Sequence, residues 1–141
     1  MAKSYSFSES NFENAVIELF ENRGYTYQCG YDIHRTNEDI VIKDDFNAYL
    51  SKRYPSLNLQ ADEREEILHN LMFARGVSLY STMKKTLNVL RNGLIIDRSR
   101  YHLKQEHIEY FDYTNMSNNI FKVVNQYEVK GSLVRRPDIV I

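Results

Sequence analysis

The residues best suited to chemistry lie at the end of the chain, where Arg136, Pro137 and Asp138 precede the apolar run 139–141. Pro137 cannot donate a ladder hydrogen bond, and the apolar run predicts a strand buried on both faces. A carboxylate held rigidly there could bind Mg²⁺, which prefers oxygen ligands and keeps several waters. Such an ion can polarise a phosphodiester and supply hydroxide near neutral pH. The alternative is an ordinary turn or cap aspartate.

A second group of chemically relevant residues is basic. Residues 75–104 contain seven Lys and Arg residues and one acid, Asp97, although the whole chain has a net charge of -1. A local positive field of this kind attracts a phosphate backbone. The alternatives are a surface that contacts another subunit and a solvated helix face. The residues predicted to contact DNA are Lys84, Lys85, Arg91, Arg98 and Arg100.

The elements that must position these residues fall into two classes. Apolar periodicity predicts helices over about 10–23, 44–54, 61–75 and 78–91, and short extended segments over 25–29, 107–111, 120–129 and 137–141. Ser10 and Glu13 have the spacing of a capping box at the first helix. In the fourth helix, Leu79, Met83, Leu87 and Leu90 are predicted to face inward, and Arg98 and Arg100 to share one face of an extended segment. The fold class predicted is α+β, with N-terminal helices packed on a mostly antiparallel sheet.

Length and composition limit the classes of protein to which the chain could belong. The 141 residues, 43% hydrophobic and 26% charged, predict one globular domain over residues 1–141. The apolar runs are too short to cross a membrane, and the start of the chain has no apolar stretch typical of a signal peptide. The single cysteine, Cys29, cannot form an internal disulfide. These features predict a cytoplasmic protein.

Several segments, in this order, resemble one known family. They are Phe12 to Phe20, Gly24-Tyr25, residues 30–42 with Ile40-Val41-Ile42 resembling a variable strand of the family, Asp112-Tyr113, residues 118–126 with their Asn-Asn-Ile-Phe start and Asn-Gln end, and Arg136 to Val140. Together they are similar to the N-terminal nuclease domain of the restriction (R) subunit of type I restriction–modification enzymes, in the PD-(D/E)xK superfamily. The resemblance covers nearly the whole chain and is most specific from Asp112 onward. One departure is Tyr113, where phenylalanine is more usual.

This resemblance implies a restriction-endonuclease-like fold and a metal-dependent nuclease site. Asp138 matches the strand aspartate that binds Mg²⁺, and Glu13 matches the acidic residue of the first helix that supports the metal, although Glu9 and Glu18 compete for that role. The family acts on double-stranded DNA together with methyltransferase and specificity subunits, and a motor region hydrolyses ATP to translocate DNA. The chain lacks a phosphate-binding glycine-rich loop, so any ATP dependence would reside in other sequence.

The resemblance also implies that an important part of the site is missing from these residues. In the family, a strand with Glu-x-Lys follows the Asp138 strand and supplies the second ligand and the catalytic lysine. No Glu-x-Lys or Asp-x-Lys follows Asp138 in the sequence. We therefore expect the chain to be the N-terminal portion of a nuclease domain that is inactive by itself. We also expect the apolar residues 139–141 to be partly exposed. The alternative is a non-catalytic module that binds DNA or a partner subunit.

Overall fold

The structure is a computed structural model that describes residues 8–36, 39–74 and 76–141. Its helices are α1 (Glu9–Glu21), α2 (Lys43–Arg53), α3 (Ala61–Met72) and α4 (Leu79–Asn92). Its strands are β1 (Thr26–Cys29), β2 (Leu94–Ile96), β3 (Glu106–Ile108), β4 (Lys122–Asn125), β5 (Val129–Lys130), β6 (Val134–Arg135) and β7 (Ile139–Val140). Most strand pairings are antiparallel. The predicted α+β class is confirmed.

The chain divides into two compact units, which we describe separately. The terminal unit comprises Met1–Asp44 and Ile120–Ile141, and the middle unit comprises Asp45–Asn119. The prediction of a single domain over residues 1–141 stays a prediction. Among the described residues, no helix is both long enough and apolar enough to cross a membrane.

A three-stranded sheet in the order β1-β4-β7 forms the centre of the terminal unit. β1 runs parallel to β4, and β7 runs antiparallel to β4, with Asn125 opposite Ile139. Val123 and Val124 in the middle strand are buried. The predicted long strand over 120–129 is shorter, because Gln126 has a positive φ of 54° that extended backbone does not allow. The segment 40–42, which resembles a strand of the family, forms no strand.

Helix α1 begins earlier than the sequence predicts. Ser8 is its N-cap, and the Ser8 Oγ accepts a hydrogen bond from the backbone N–H of Asn11 at 3.4 Å. Ser10 lies inside the first turn, so the predicted capping box of Ser10 with Glu13 is wrong. This frees the Glu13 side chain to point elsewhere.

The middle unit is built around a compact apolar core. Leu50 of α2 and Ile67 of α3 are fully buried with Ile108 of β3, and Ile96 of β2 is nearly so. β2 and β3 pair as an antiparallel ribbon. Helices α2 and α3 lie within three residues of their predicted bounds, and strand 107–111 is found as the shorter β3.

The orientation of α4 differs from the predicted one. Leu79, Met83 and Leu87 were predicted to face inward, but their exposed fractions are 78%, 56% and 62%. Leu90, the fourth residue predicted to face inward, does pack against the core, together with Val89, which was not predicted. Because α4 carries apolar residues on adjacent rows, its periodicity indicated a helix but not which row faces the core.

Candidate functional site

Asp138 lies in the terminal unit, immediately before β7, and its side chain is exposed. Ile139 and Val140 are half-buried and Ile141 is exposed. The strand is therefore not buried on both faces, and the expected partial exposure of 139–141 is confirmed. β7 pairs with β4, so Asp138 stands beside the carboxyl end of that central strand.

The Glu13 side chain contacts the same end of the sheet. Its Oε1 accepts a hydrogen bond from Asn125 Nδ2 at 2.9 Å. The Oδ1 of Asn125 accepts a hydrogen bond from Tyr27 Oη at 3.0 Å. Asn125 is also the cross-strand partner of Ile139, the residue after Asp138. The side-chain amide of Asn125 thus holds the Glu13 carboxylate, and the backbone of Asn125 pairs with the strand that follows Asp138.

Gly30 permits the close approach of strands that this arrangement requires. It follows β1 directly, and a Cβ at this position would lie 2.5 Å from the carbonyl oxygen of Gln126 and 2.8 Å from that of Asn125. A side chain would push the end of β1 away from the end of β4. The glycine therefore allows the segment after β1 to lie against the backbone of Asn125, which holds Glu13.

The donor set at this end of the sheet suits a hard divalent cation. Asp138 and Glu13 offer carboxylate oxygens, the ligands that Mg²⁺ prefers, and Mg²⁺ keeps several waters when the protein supplies only one or two ligands. Within residues 8–36, 39–74 and 76–141, no group of three or more His, Cys, Asp or Glu side chains could hold a metal. The two carboxylates would therefore hold such an ion with few protein ligands, and the described residues offer no closed metal site.

A Glu-x-Lys tripeptide does occur upstream of Asp138, at Glu128 to Lys130. Val129 and Lys130 form β5, which pairs with β6 in a separate two-stranded sheet. β7 belongs to the three-stranded sheet with β4. This tripeptide therefore lies on a different sheet from the strand that follows Asp138. It also precedes Asp138 in the sequence, whereas the Glu-x-Lys of the family follows the aspartate.

Arg136 is a polar neighbour of Asp138 that the sequence analysis did not assign to the site. Its Nη1 donates a hydrogen bond to Tyr31 Oη at 2.8 Å, and both side chains are exposed. The Tyr31 contact holds a cation two residues before Asp138. The Arg-Pro-Asp spacing was a signal for it, but only the fold brings Tyr31 to the arginine.

The predicted DNA contact by Arg98 conflicts with its burial. The side chain of Arg98 is 4% exposed and that of Glu63 is 1% exposed, and Arg98 Nε lies 2.6 Å from Glu63 Oε1. Arg98 also donates to the backbone carbonyl of Leu57 at 2.8 Å. Its guanidinium is buried in the middle unit, where it is not accessible to a DNA phosphate.

Arg100 is also engaged, although it is exposed. Its Nη1 and Nη2 lie 3.0 Å and 2.6 Å from carboxylate oxygens of Asp62 and Glu66 respectively. Residues Ser99–Tyr101 form a 3₁₀ turn, so the expectation that Arg98 and Arg100 share one face of an extended segment is wrong. The remaining predicted DNA contacts, Lys84, Lys85 and Arg91, are exposed on α4.

The carboxylates Glu106, Glu109 and Asp112 do not form a cation site. Asp112 is buried, and its Oδ1 accepts hydrogen bonds from the backbone N–H groups of Thr114 and Asn115. Its Oδ2 accepts one from Asn118 and lies 2.8 Å from Arg53 Nε. The Asn115 and Asn118 hydrogen bonds, opposed by burial, hold the pKa of Asp112 below its usual value. Asp112 therefore organises a loop.

Comparison with known proteins agrees with the resemblance in the sequence. Residues 6–141 match the family described as the type I restriction enzyme R protein N terminus. The chain belongs to this family. A protein of Methanocaldococcus jannaschii, named as a type I restriction enzyme MjaIXP endonuclease subunit, is 27% identical over 145 residues. That alignment covers 92% of this R-protein N terminus but 13% of the relative's length. No solved structure matches the chain.

Proposed function

We propose that this R-protein N terminus supplies Asp138 and Glu13 to a Mg²⁺-dependent site that cleaves double-stranded DNA. The observation that carries the proposal is the hydrogen bond between Glu13 and Asn125, the residue paired with Ile139 beside Asp138. It holds the Glu13 carboxylate at the end of the sheet where the chain passes through Asp138 into β7. Asp138 is the ligand from the strand, and Glu13 is the supporting carboxylate from the helix.

In this site, Mg²⁺ would polarise the phosphodiester and favour hydroxide as the nucleophile. Asp138 would hold the ion through a carboxylate oxygen at the start of β7. Asn125 donates its amide proton to Glu13 and accepts one from Tyr27, so the Glu13 carboxylate is fixed before the ion arrives. Arg136, held by Tyr31, has further N–H groups that could donate hydrogen bonds to a phosphate oxygen.

The wider setting of this site is part of the same proposal. The complete enzyme would be a cytoplasmic complex that acts on double-stranded DNA with methyltransferase and specificity subunits. Its ATP-driven motor would lie in sequence other than these 141 residues. The family membership and the named endonuclease relative support this setting.

The proposal is tested in the complete R subunit, assembled in its complex with Mg²⁺ and ATP. We expect Glu13→Gln to lower the rate of DNA cleavage by about 10–100-fold, as is usual when support for a metal ligand is removed. Asp138→Asn should lower cleavage further. ATP hydrolysis should be unchanged in both, because the motor does not use these side chains.

Glu18→Gln is the matched control, because Glu18 is exposed on the same helix. It should leave DNA cleavage unchanged. If Glu13→Gln and Glu18→Gln have equal effects, Glu13 has no special role. If Asp138→Asn cleaves DNA normally, the proposed site is wrong.

A second candidate function is a non-catalytic module that contacts DNA or a partner protein. The observation that favours it is the exposed surface of α4, which carries Lys84 and Arg91 beside exposed apolar side chains. A DNA contact by Lys84, Lys85 and Arg91 stays a prediction.

A further inference from the structure

The outward surface of α4 is unusually apolar for a helix in contact with water. Leu79, Met83 and Leu87 are spaced four residues apart, so they form one row along the helix. Tyr80 lies beside this row, and 77% of it is exposed. Val89 and Leu90 already provide the contacts of α4 with the core of the middle unit. A contiguous exposed apolar row of this kind is typical of a surface that binds another molecule.

This apolar row has a cationic border. Lys84 and Arg91 lie with Tyr80 on the adjacent row of the helix. Lys84 follows Tyr80 by four residues, and Arg91 follows Lys84 by seven, so all three share one side of α4. No acid occurs among the 14 residues of α4. A surface groove of about 1070 Å³ lies between α3 and α4. No carboxylate is among the described residues that line it. Among the described residues of α4 and of the groove, the Lys and Arg side chains therefore give this surface a positive charge.

We propose that α4 is a docking surface for an amphipathic helix of a partner protein whose apolar row is bordered by carboxylates. The partner's apolar side chains would cover Leu79, Met83 and Leu87. Its carboxylates would face Lys84 and Arg91. A helix that places its apolar face on a complementary apolar surface is a common mode of recognition, and the charges at the border fix its register and orientation.

The apolar row favours this occupant over duplex DNA. A phosphate backbone would satisfy Lys84 and Arg91, but it would leave Leu79, Met83 and Leu87 without an apolar partner. Interfaces with DNA are more polar and more positively charged than interfaces between proteins. Three large apolar residues in a row therefore indicate a protein. The proposal is independent of the metal site at Asp138, because α4 lies in the middle unit.

The test measures binding of three defined probes to the complete R subunit by fluorescence anisotropy at low salt. The first is a helical peptide of the same 14-residue length as α4, with a leucine row bordered by glutamates. The second is its twin with lysine in place of every glutamate. The third is a short DNA duplex. We expect the acidic peptide to bind at least about tenfold more tightly than its basic twin.

Substitutions on α4 decide which feature carries the binding. Leu87→Ser should weaken binding of the acidic peptide by about tenfold, because a covered leucine is lost. Lys84→Glu combined with Arg91→Glu should weaken the acidic peptide and strengthen the basic twin. This reversal of preference would show that the charges face each other across the interface.

Two neighbouring exposed residues of the middle unit provide matched controls. Leu103→Ser and Lys104→Glu change the same residue types outside α4 and should leave both peptides unaffected. All substituted side chains are exposed, and circular dichroism should show an unchanged helix content. Failure of the acidic peptide to bind would overturn the proposal. So would DNA binding that requires Lys84 and Arg91 while Leu87→Ser has no effect, because α4 would then be a nucleic-acid surface.

Discussion

The buried ion pair of Glu63 and Arg98 shows how strongly one residue can depend on a distant partner. Glu63 also accepts a hydrogen bond from the backbone N–H of Gln60 at 2.8 Å, so it caps α3 while it pairs with Arg98. Burial alone would raise the pKa of Glu63, but the hydrogen bonds from Arg98 and Gln60 hold this pKa below its usual value. Glu63 is therefore ionised in the folded chain at neutral pH.

Removing the charge of Glu63 should destabilise the middle unit. Glu63→Gln leaves the Arg98 guanidinium buried without its counter-charge, which costs about 3–5 kcal/mol of unfolding free energy. Urea unfolding followed by circular dichroism would measure this cost. Glu65→Gln, at an exposed position on α3, should change the unfolding free energy by less than about 0.5 kcal/mol.

A double substitution separates the charge imbalance from the loss of the contact. Glu63→Leu with Arg98→Met removes both charges and keeps apolar volume, so its stability should lie much closer to that of the unchanged chain. A double variant as unstable as Glu63→Gln would contradict this account of the pair.

The pH dependence of stability should carry the signature of Asp112. The pKa of this carboxyl is lowered in the folded state, and the unfolded value is about 3.9. Its contribution is therefore fully present above the unfolded pKa and is lost as the pH falls through the folded pKa. Thermal unfolding between neutral and acidic pH should show Tm falling in this acidic range. Asp112→Asn should make Tm depend less steeply on pH in this range. Asp97 lies outside this loop, so Asp97→Asn should leave the part of the pH dependence that comes from Asp112 in place.

The sequence identified these residue types but not their partners. A count of charges placed Arg98 on a basic surface, because nothing local indicates a carboxylate 35 positions away. Glu13 was assigned by resemblance, and its competing capping role was removed only by the structure. Tyr27 and Asn125 were not assigned to the site at all, because the link between them requires β1 and β4 to be neighbours.

At the scale of elements, the positions of the helices were easier to predict than the side of each helix that packs on the core. All four helices lie close to where apolar periodicity placed them, because that period is a local property of the sequence. The face that α4 presents to the core depends on where Gly93 turns the chain into β2, which periodicity does not specify. The N-cap of α1 was misplaced for a related reason, since Ser8 and Ser10 have the same chemistry and only backbone geometry separates them.

Strand packing at the proposed site should be sensitive to Gly30. Gly30→Ala would place a methyl group 2.5 Å from the Gln126 carbonyl oxygen, so the end of β1 must move away from the end of β4. Overpacking of this kind costs about 1–3 kcal/mol of unfolding free energy. In the complete enzyme, the same shift should lower DNA cleavage, because Asn125 no longer holds Glu13 in place.

Gly131→Ala is the control for this substitution. Nothing lies within 4 Å of a Cβ at Gly131, and the residue has no positive φ. Its unfolding free energy should be unchanged or slightly higher. Equal destabilisation by both alanines would show that contact with the end of β4 does not govern the effect.

At the scale of the whole molecule, the sequence predicted the fold class and family better than it predicted the surface. The order of segments from Phe12 to Val140 indicated the R-protein family, and the α+β class followed from the change of period along the chain. The distribution of exposed charge could not be predicted in this way. Basic residues of one segment can be neutralised by acids of another segment, as Asp62 and Glu66 do for Arg100.

The 141-residue chain by itself should bind Mg²⁺ weakly and should not cleave DNA. The proposed site offers only Asp138 and Glu13, and the residues that the structure describes contain no larger group of metal-binding side chains. Calorimetry with Mg²⁺ should show no tight stoichiometric binding, and supercoiled plasmid incubated with the chain and Mg²⁺ should stay uncut. Plasmid nicking that disappears in Asp138→Asn would contradict this prediction, because the chain's own residues would then complete a working site.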